Sequence, residues 1–176
     1  MSDLQIRWRF PFLMPGTSST LTMRTDALRE IGGFMTDHAT CDDYTTMAQI
    51  LDRGKVVRIA EFVTAYRHHD HQISRSRSLE QQVQLSLLRQ RIIGSRVGSD
   101  VQLGPVMTLT LAGLPAATHK RYRLEALSLL DRLLERFLSD NAPLGQDKEW
   151  ILMDHAGRRD RLLGARSDPE LDGYEI

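Results

Sequence analysis

The chain has 176 residues, 41% of them hydrophobic, with 23 basic residues set against 23 acidic ones and a pI near 7.0. That length can bury one ordinary core, and balanced charge removes the broad attraction that drives non-specific binding to nucleic acid, so nucleic acid is not an expected partner. The single cysteine, Cys41, excludes an internal disulfide framework and a Cys-rich zinc module, which points to a reducing compartment and a cytoplasmic location. No apolar stretch approaches the ~20 residues that span a bilayer. Met1 to Phe10 carries Asp3, Arg7 and Arg9 where a signal peptide would be apolar, and peripheral association with a membrane remains compatible with the sequence.

In chain order, SSTLTMR (Ser18 to Arg24) is rich in β-branched residues and predicts a strand. TDALREIGGF follows as a short helix capped by Thr25 and ended by Gly32 and Gly33. Thr40 stands three residues before Asp43, and Tyr44, Met47, Ile50 and Leu51 follow at helical spacing up to Gly54. This predicts a helix over roughly Asp42 to Arg53. Two β-prone runs come next, VVRIA (Val56 to Ala60) and FVTAY (Phe62 to Tyr66), then a polar loop, HHDHQIS, from His68 to Ser74.

Beyond Ser74 the period changes. Ser78 and Gln81 form a capping-box pattern for a helix through Leu79, Val83, Leu87 and Ile92, with Gly94 as its stop. The apolar run VMTLTLAGL is ambiguous between helix and strand. After Pro115, Leu124, Leu127, Leu130, Leu134 and Leu138 mark a long amphipathic helix over about His119 to Ser139. A short helix around Trp150 and a mobile polar tract, GRRDRLLGARSDPELDG, complete the expectation. The implied organisation is an α/β segment over residues 1–94, a helical extension over 95–140, and a short helix with a tail over 141–176.

The residues richest in chemistry are CDDY, Cys41 to Tyr44. Two adjacent carboxylates at a helix start suit two roles: they complement the macrodipole and its unpaired N–H groups, or one of them takes a proton from a substrate. An acceptor hydroxyl, un-ionised at neutral pH, is a poor nucleophile until a positioned base removes its proton, a service worth about 10²–10⁴-fold.

The order of motifs resembles the second half of a family 2 (GT-A type) glycosyltransferase over about Pro11 to Gly94. Three pieces carry the resemblance. MRTDALREIGGF (Met23 to Phe34) matches a strand ending in Arg, a short helix and a glycine pair. DDYTTMAQILDRG (Asp42 to Gly54) matches an acidic pair and an aromatic opening a helix. YRHHDHQIS (Tyr66 to Ser74) matches a Tyr-Arg-x-His loop ending in Ser. The resemblance implies a partial GT-A fold, α/β in class, followed by a helical C-terminal extension.

By position, the resemblance places the general base on Asp43 and an acceptor-binding acid on Asp42, where the family more often has Glu. It places Gly16, Thr17 and Gly33 along the acceptor pocket, although PGTSS is also an ordinary turn and the glycine pair an ordinary helix stop. Arg67 falls where a guanidinium would contact the donor diphosphate, or else brace its own loop. His69 falls where related enzymes hold a divalent metal, Mn or Mg, against that diphosphate. The cluster of His68, His69 and His71 also has a zinc reading and a plainly solvated one.

The implied activity is inverting sugar transfer from a nucleotide-sugar to a carbohydrate or lipid-linked acceptor. A complete enzyme of this type opens with a nucleotide-binding half that ends in an Asp-x-Asp motif, and no such motif precedes Pro11. The expectation is therefore an acceptor-side half, either a fragment of a longer gene product or one subunit of a split enzyme, inactive without a donor-binding half. The alternative is a non-catalytic remnant that binds carbohydrate or protein. No Gln-x-x-Arg-Trp signature of processive enzymes follows the acid pair.

Overall fold

The computed structural model describes residues 1–34, 40–65, 67, 77–111 and 116–164, with backbone only for 116–118. Its helices are α1 (Asp3–Arg9), α2 (Thr25–Glu30), α3 (Asp42–Arg53), α4 (Ser78–Val97), α5 (Leu103–Thr110), α6 (Ala116–Asn141) and α7 (Gly145–Leu163), with a 3₁₀ turn at Ser18–Thr20. Among the described residues there is no strand, so the expected α/β, partial GT-A fold is not what the chain adopts.

The reason lies in what β propensity measures. Val, Ile, Thr and Phe favour a pleated surface only when cross-strand neighbours cover it, and an isolated extended run gains nothing from its type. Ser18 to Thr20 coils into the 3₁₀ turn instead, and Leu21 to Arg24 join no ladder, with extended dihedrals at Leu21 and Arg24. The described residues after Gly54, through Ala65, form neither helix nor strand, with Val57 72%, Ile59 64% and Val63 65% exposed and Phe62 fully so. Their first backbone N–H groups go to the chain's own beginning: Val56 N–H donates to Asp3 Oδ1 at 2.8 Å and Arg58 N–H to the Met1 carbonyl at 3.3 Å.

Two compact units divide the chain inside α4, Met1–Leu88 and Arg89–Glu175. In the first, α1 opens with a reciprocal capping box, Gln5 N–H to Ser2 Oγ at 3.3 Å and Ser2 N–H to Gln5 Oε1 at 3.2 Å. Arg7 is held by Asp3 at 2.7 Å and donates to the Leu51 and Gly54 carbonyls, so α1 stops the C-terminal end of α3 with a cation, where the dipole favours one. Trp8, Phe10, Phe12, Tyr44, Met47 and Leu51 are buried around this junction. The Phe10 and Tyr44 rings stack at 4.5 Å, and the Tyr44 hydroxyl donates to the Phe10 carbonyl at 3.0 Å.

The helix expected over Asp42 to Arg53 has those bounds, but Thr40 does not cap it. Its hydroxyl donates to Gln84 Oε1 at 2.6 Å, and Gln81 Nε2 donates to its carbonyl at 2.7 Å. Thr40 is thus a buried tie to α4, and Gln81 serves that tie in place of a capping box.

In the second unit α4 runs through Gly94 and stops at Gly98, whose φ of 67° lets Ser99 N–H reach back to the Gly94 carbonyl at 3.1 Å. Val106 to Thr110 of the uncertain VMTLTLAGL run fall in α5, which packs on α6 so closely that a Cβ at Gly104 would sit 2.6–2.8 Å from the Tyr122 ring, and residues 112–114 of the run lie outside the described residues. On α6 the buried stripe runs through Ala126, Leu127, Leu129, Leu130, Leu133 and Phe137, whereas Leu124, expected on that face, is 77% exposed.

The expected short helix and the first residues of the expected mobile tract, Gly157 to Leu163, are instead parts of one 19-residue helix, α7, anchored on α6. Ile151 is fully buried. Asp131 of α6 meets His155 at 2.9 Å and Arg159 at 2.6 Å. Residues 165–176 of the expected tail lie outside the described residues.

Candidate functional site

Asp42 and Asp43 are the first two residues of α3, whose N-cap, Cys41, makes no side-chain cap bond. Acids in the first turn suit the N–H groups that a helix start presents. Asp43 meets one of them directly: Tyr44 N–H donates to Asp43 Oδ1 at 2.7 Å. The second oxygen, Oδ2, accepts from the Ser18 hydroxyl at 2.9 Å, across 25 residues of sequence. Asp43 is half-buried and Asp42 exposed.

The segment that the sequence places beside the acid pair, Pro15 to Ser19, does arrive there, but Ser18 makes the contact. Thr17 belongs to the turn itself: its carbonyl accepts from Thr20 N–H at 2.9 Å and from the Thr20 hydroxyl at 2.8 Å, while its own hydroxyl lies 3.2 Å from that of Ser19. Gly16 permits the turn to close, since a Cβ there would come within 2.5 Å of Thr20 Oγ1. Ser18 was missed by sequence reasoning. The hydroxyl-rich run was the available signal, and nothing in it singles out the one hydroxyl aimed at α3.

Gly33 has a complete local explanation. Gly32 and Gly33 hold φ of 86° and 97°, Gly32 N–H donates to the Arg29 carbonyl at 3.0 Å, and Gly33 N–H to the Leu28 carbonyl at 2.9 Å. This is a Schellman stop for α2, with both glycines in the left-handed region. Arg67 is exposed and lies in no helix. His69, with His68 and His71, lies outside the described residues.

No family model, curated protein or solved structure matches the chain.

Among the described residues no three His, Cys, Asp or Glu side chains converge, and His69, the expected metal ligand, lies outside them. Both oxygens of Asp43 already accept hydrogen bonds, which suits a proton acceptor held in one orientation better than a metal ligand. A separate open cleft of about 560 Å³ lies at the C-terminal end of α4, where Gln90, Arg91, Ser95 and Asp100 are among its lining residues. None of the expected site residues lines it. No described helix is long and apolar enough to cross a membrane.

Proposed function

We infer that this chain carries the acceptor-side base of a family 2-like glycosyltransferase, with Asp43 as that base, on a helical scaffold. The observation that carries the reading is the Asp43 carboxylate at the start of α3, half-buried and braced on both oxygens, one of them by the hydroxyl-rich segment that the resemblance sets along the acceptor pocket. Each carboxylate oxygen keeps a second lone pair, so an acceptor hydroxyl can still dock. Asp43 takes the proton as that hydroxyl's oxygen bonds to the anomeric carbon of the donor, and the opposite C–O bond breaks with its electron pair leaving on the nucleoside diphosphate. Back-side attack inverts the anomeric centre. Asp42, exposed beside it, is the second acid for acceptor hydroxyls.

Nucleotide-sugar binding is assigned to a donor-binding half, part of the same gene product or a second subunit, with Arg67 and His69 as the residues here that would contact the diphosphate and its metal. The test is release of nucleoside diphosphate from a panel of UDP- and GDP-sugars by this chain combined with such a half. Asp43→Asn is expected to abolish transfer while donor binding survives. Normal turnover by that variant would remove Asp43 as the base.

A second reading, a non-catalytic module that binds carbohydrate or protein, is favoured by the open apolar side chains of Val57, Ile59, Phe62 and Val63. It predicts acceptor or partner binding with no donor turnover in any combination.

A further inference from the structure

Ser18 stands 25 residues before Asp43, yet its hydroxyl donates to Asp43 Oδ2 at 2.9 Å. Building on the assignment of Asp43 as base, we propose that Ser18 is a positioning residue, whose hydroxyl fixes the plane of the Asp43 carboxylate so that its free lone pairs face the acceptor.

An aspartate χ2 is soft and roughly two-fold, so an exposed first-turn carboxylate ordinarily swings between orientations. Here two donors from different parts of the chain hold it. Tyr44 N–H fixes Oδ1 at 2.7 Å, a bond within α3 that any first-turn acid can make. Ser18 fixes Oδ2, and its own place is set by the turn in which the Thr17 carbonyl accepts twice from Thr20. Gly16 allows that turn to tighten, because a side chain there would press on Thr20 Oγ1. Asp42, one residue earlier and exposed, is not a partner of Ser18. Fixing a general base before the substrate arrives removes a reorientation that would otherwise fall within the barrier.

The test uses the chain itself, with Asp42 as an internal control. Carbodiimide-driven amidation with glycine ethyl ester is followed at both aspartates by peptide mass spectrometry in the unmodified sequence, Ser18→Ala and Ser18→Thr. Loss of one hydrogen bond of ordinary net strength is worth about fivefold, so Ser18→Ala is expected to label Asp43 about fivefold faster. Asp42 stays constant, and Ser18→Thr, which keeps the hydroxyl, restores the slow rate.

Equal labelling of Asp43 in Ser18→Ala and the unmodified chain overturns the proposal. So does a parallel rise at Asp42, which would mean a loosened helix start, or a Thr variant as fast as the Ala one. Failure of the underlying reading shows elsewhere, as normal transfer by Asp43→Asn. An inactive Asp43→Asn with unchanged labelling would remove Ser18 alone.

Discussion

The two compact units differ in how they meet solvent. In the second, Arg89–Glu175, α5, α6 and α7 pack on one another and bury a run of aliphatic positions from Ile93 to Ile151. In the first, the buried set is mixed, with Trp8, Phe10, Phe12 and Tyr44 beside Ile6, Ile31, Met47, Ile50 and Leu51. Phe34, Val57, Ile59, Phe62, Val63, Leu79, Val83 and Leu87 of that unit are exposed. Helices satisfy their backbones internally and need a neighbour only along one stripe. An extended run needs a ladder as well, and without one it leaves both backbone and side chains open. The second unit also exposes Leu124, Leu144 and Met153, but on helices or at a helix cap, whereas Val57, Ile59, Phe62 and Val63 of the unit with the acid pair lie outside any helix.

That contrast can be broken or sharpened by substitution. The largest effects are expected in the two cores: Trp8→Ala should cost about 3–5 kcal/mol and Ile151→Ala about 2–5 kcal/mol, read from urea unfolding. If the units unfold independently, each variant moves only its own transition, and a single shared transition would show that the contrast does not extend to stability.

Next is the ion pair of α7, Asp154 with Arg158, at 2.7 Å and with side chains only 6% and 10% exposed. Asp154→Ala leaves a buried guanidinium without that carboxylate and should cost about 3 kcal/mol. A change under about 0.5 kcal/mol would place the pair with ordinary surface bridges.

The smallest effect is expected at Phe62, whose side chain is fully exposed. Phe62→Ser should leave stability within about 0.5 kcal/mol of the unmodified chain and lower self-association in light scattering. A loss above about 2 kcal/mol would mean that Phe62 is packed, and the open character assigned to this unit would be wrong.

What the sequence discloses follows the same division. Helical spacing in Asp42 to Arg53 and in the leucine run of α6 was legible, because the pattern records a face the helix itself requires. Val56 to Ala60 and Phe62 to Tyr66 carried strand signals, yet strand formation depends on a partner that a local pattern does not contain. Thr40 shows the limit at a single residue: its spacing suits a cap, while its hydroxyl is taken by Gln84, 44 residues away.

At the site, the acid pair and its helix start were legible from residue type and position. The Ser18 contact was not, since long-range hydrogen bonds leave no periodic trace. Gly33, expected along a pocket, has its conformation accounted for by the end of α2.

The assignment of chemistry to the open unit is tested most directly by the initial rate of sugar transfer, measured with the donor-binding half present, for Asp43→Asn, with Asp131→Asn of α6 as the control. Removing a general base predicts a fall of about 10²–10⁴-fold for Asp43→Asn, with α3 still folded and the rate of Asp131→Asn unchanged. Transfer by Asp43→Asn at the unmodified rate would contradict the account.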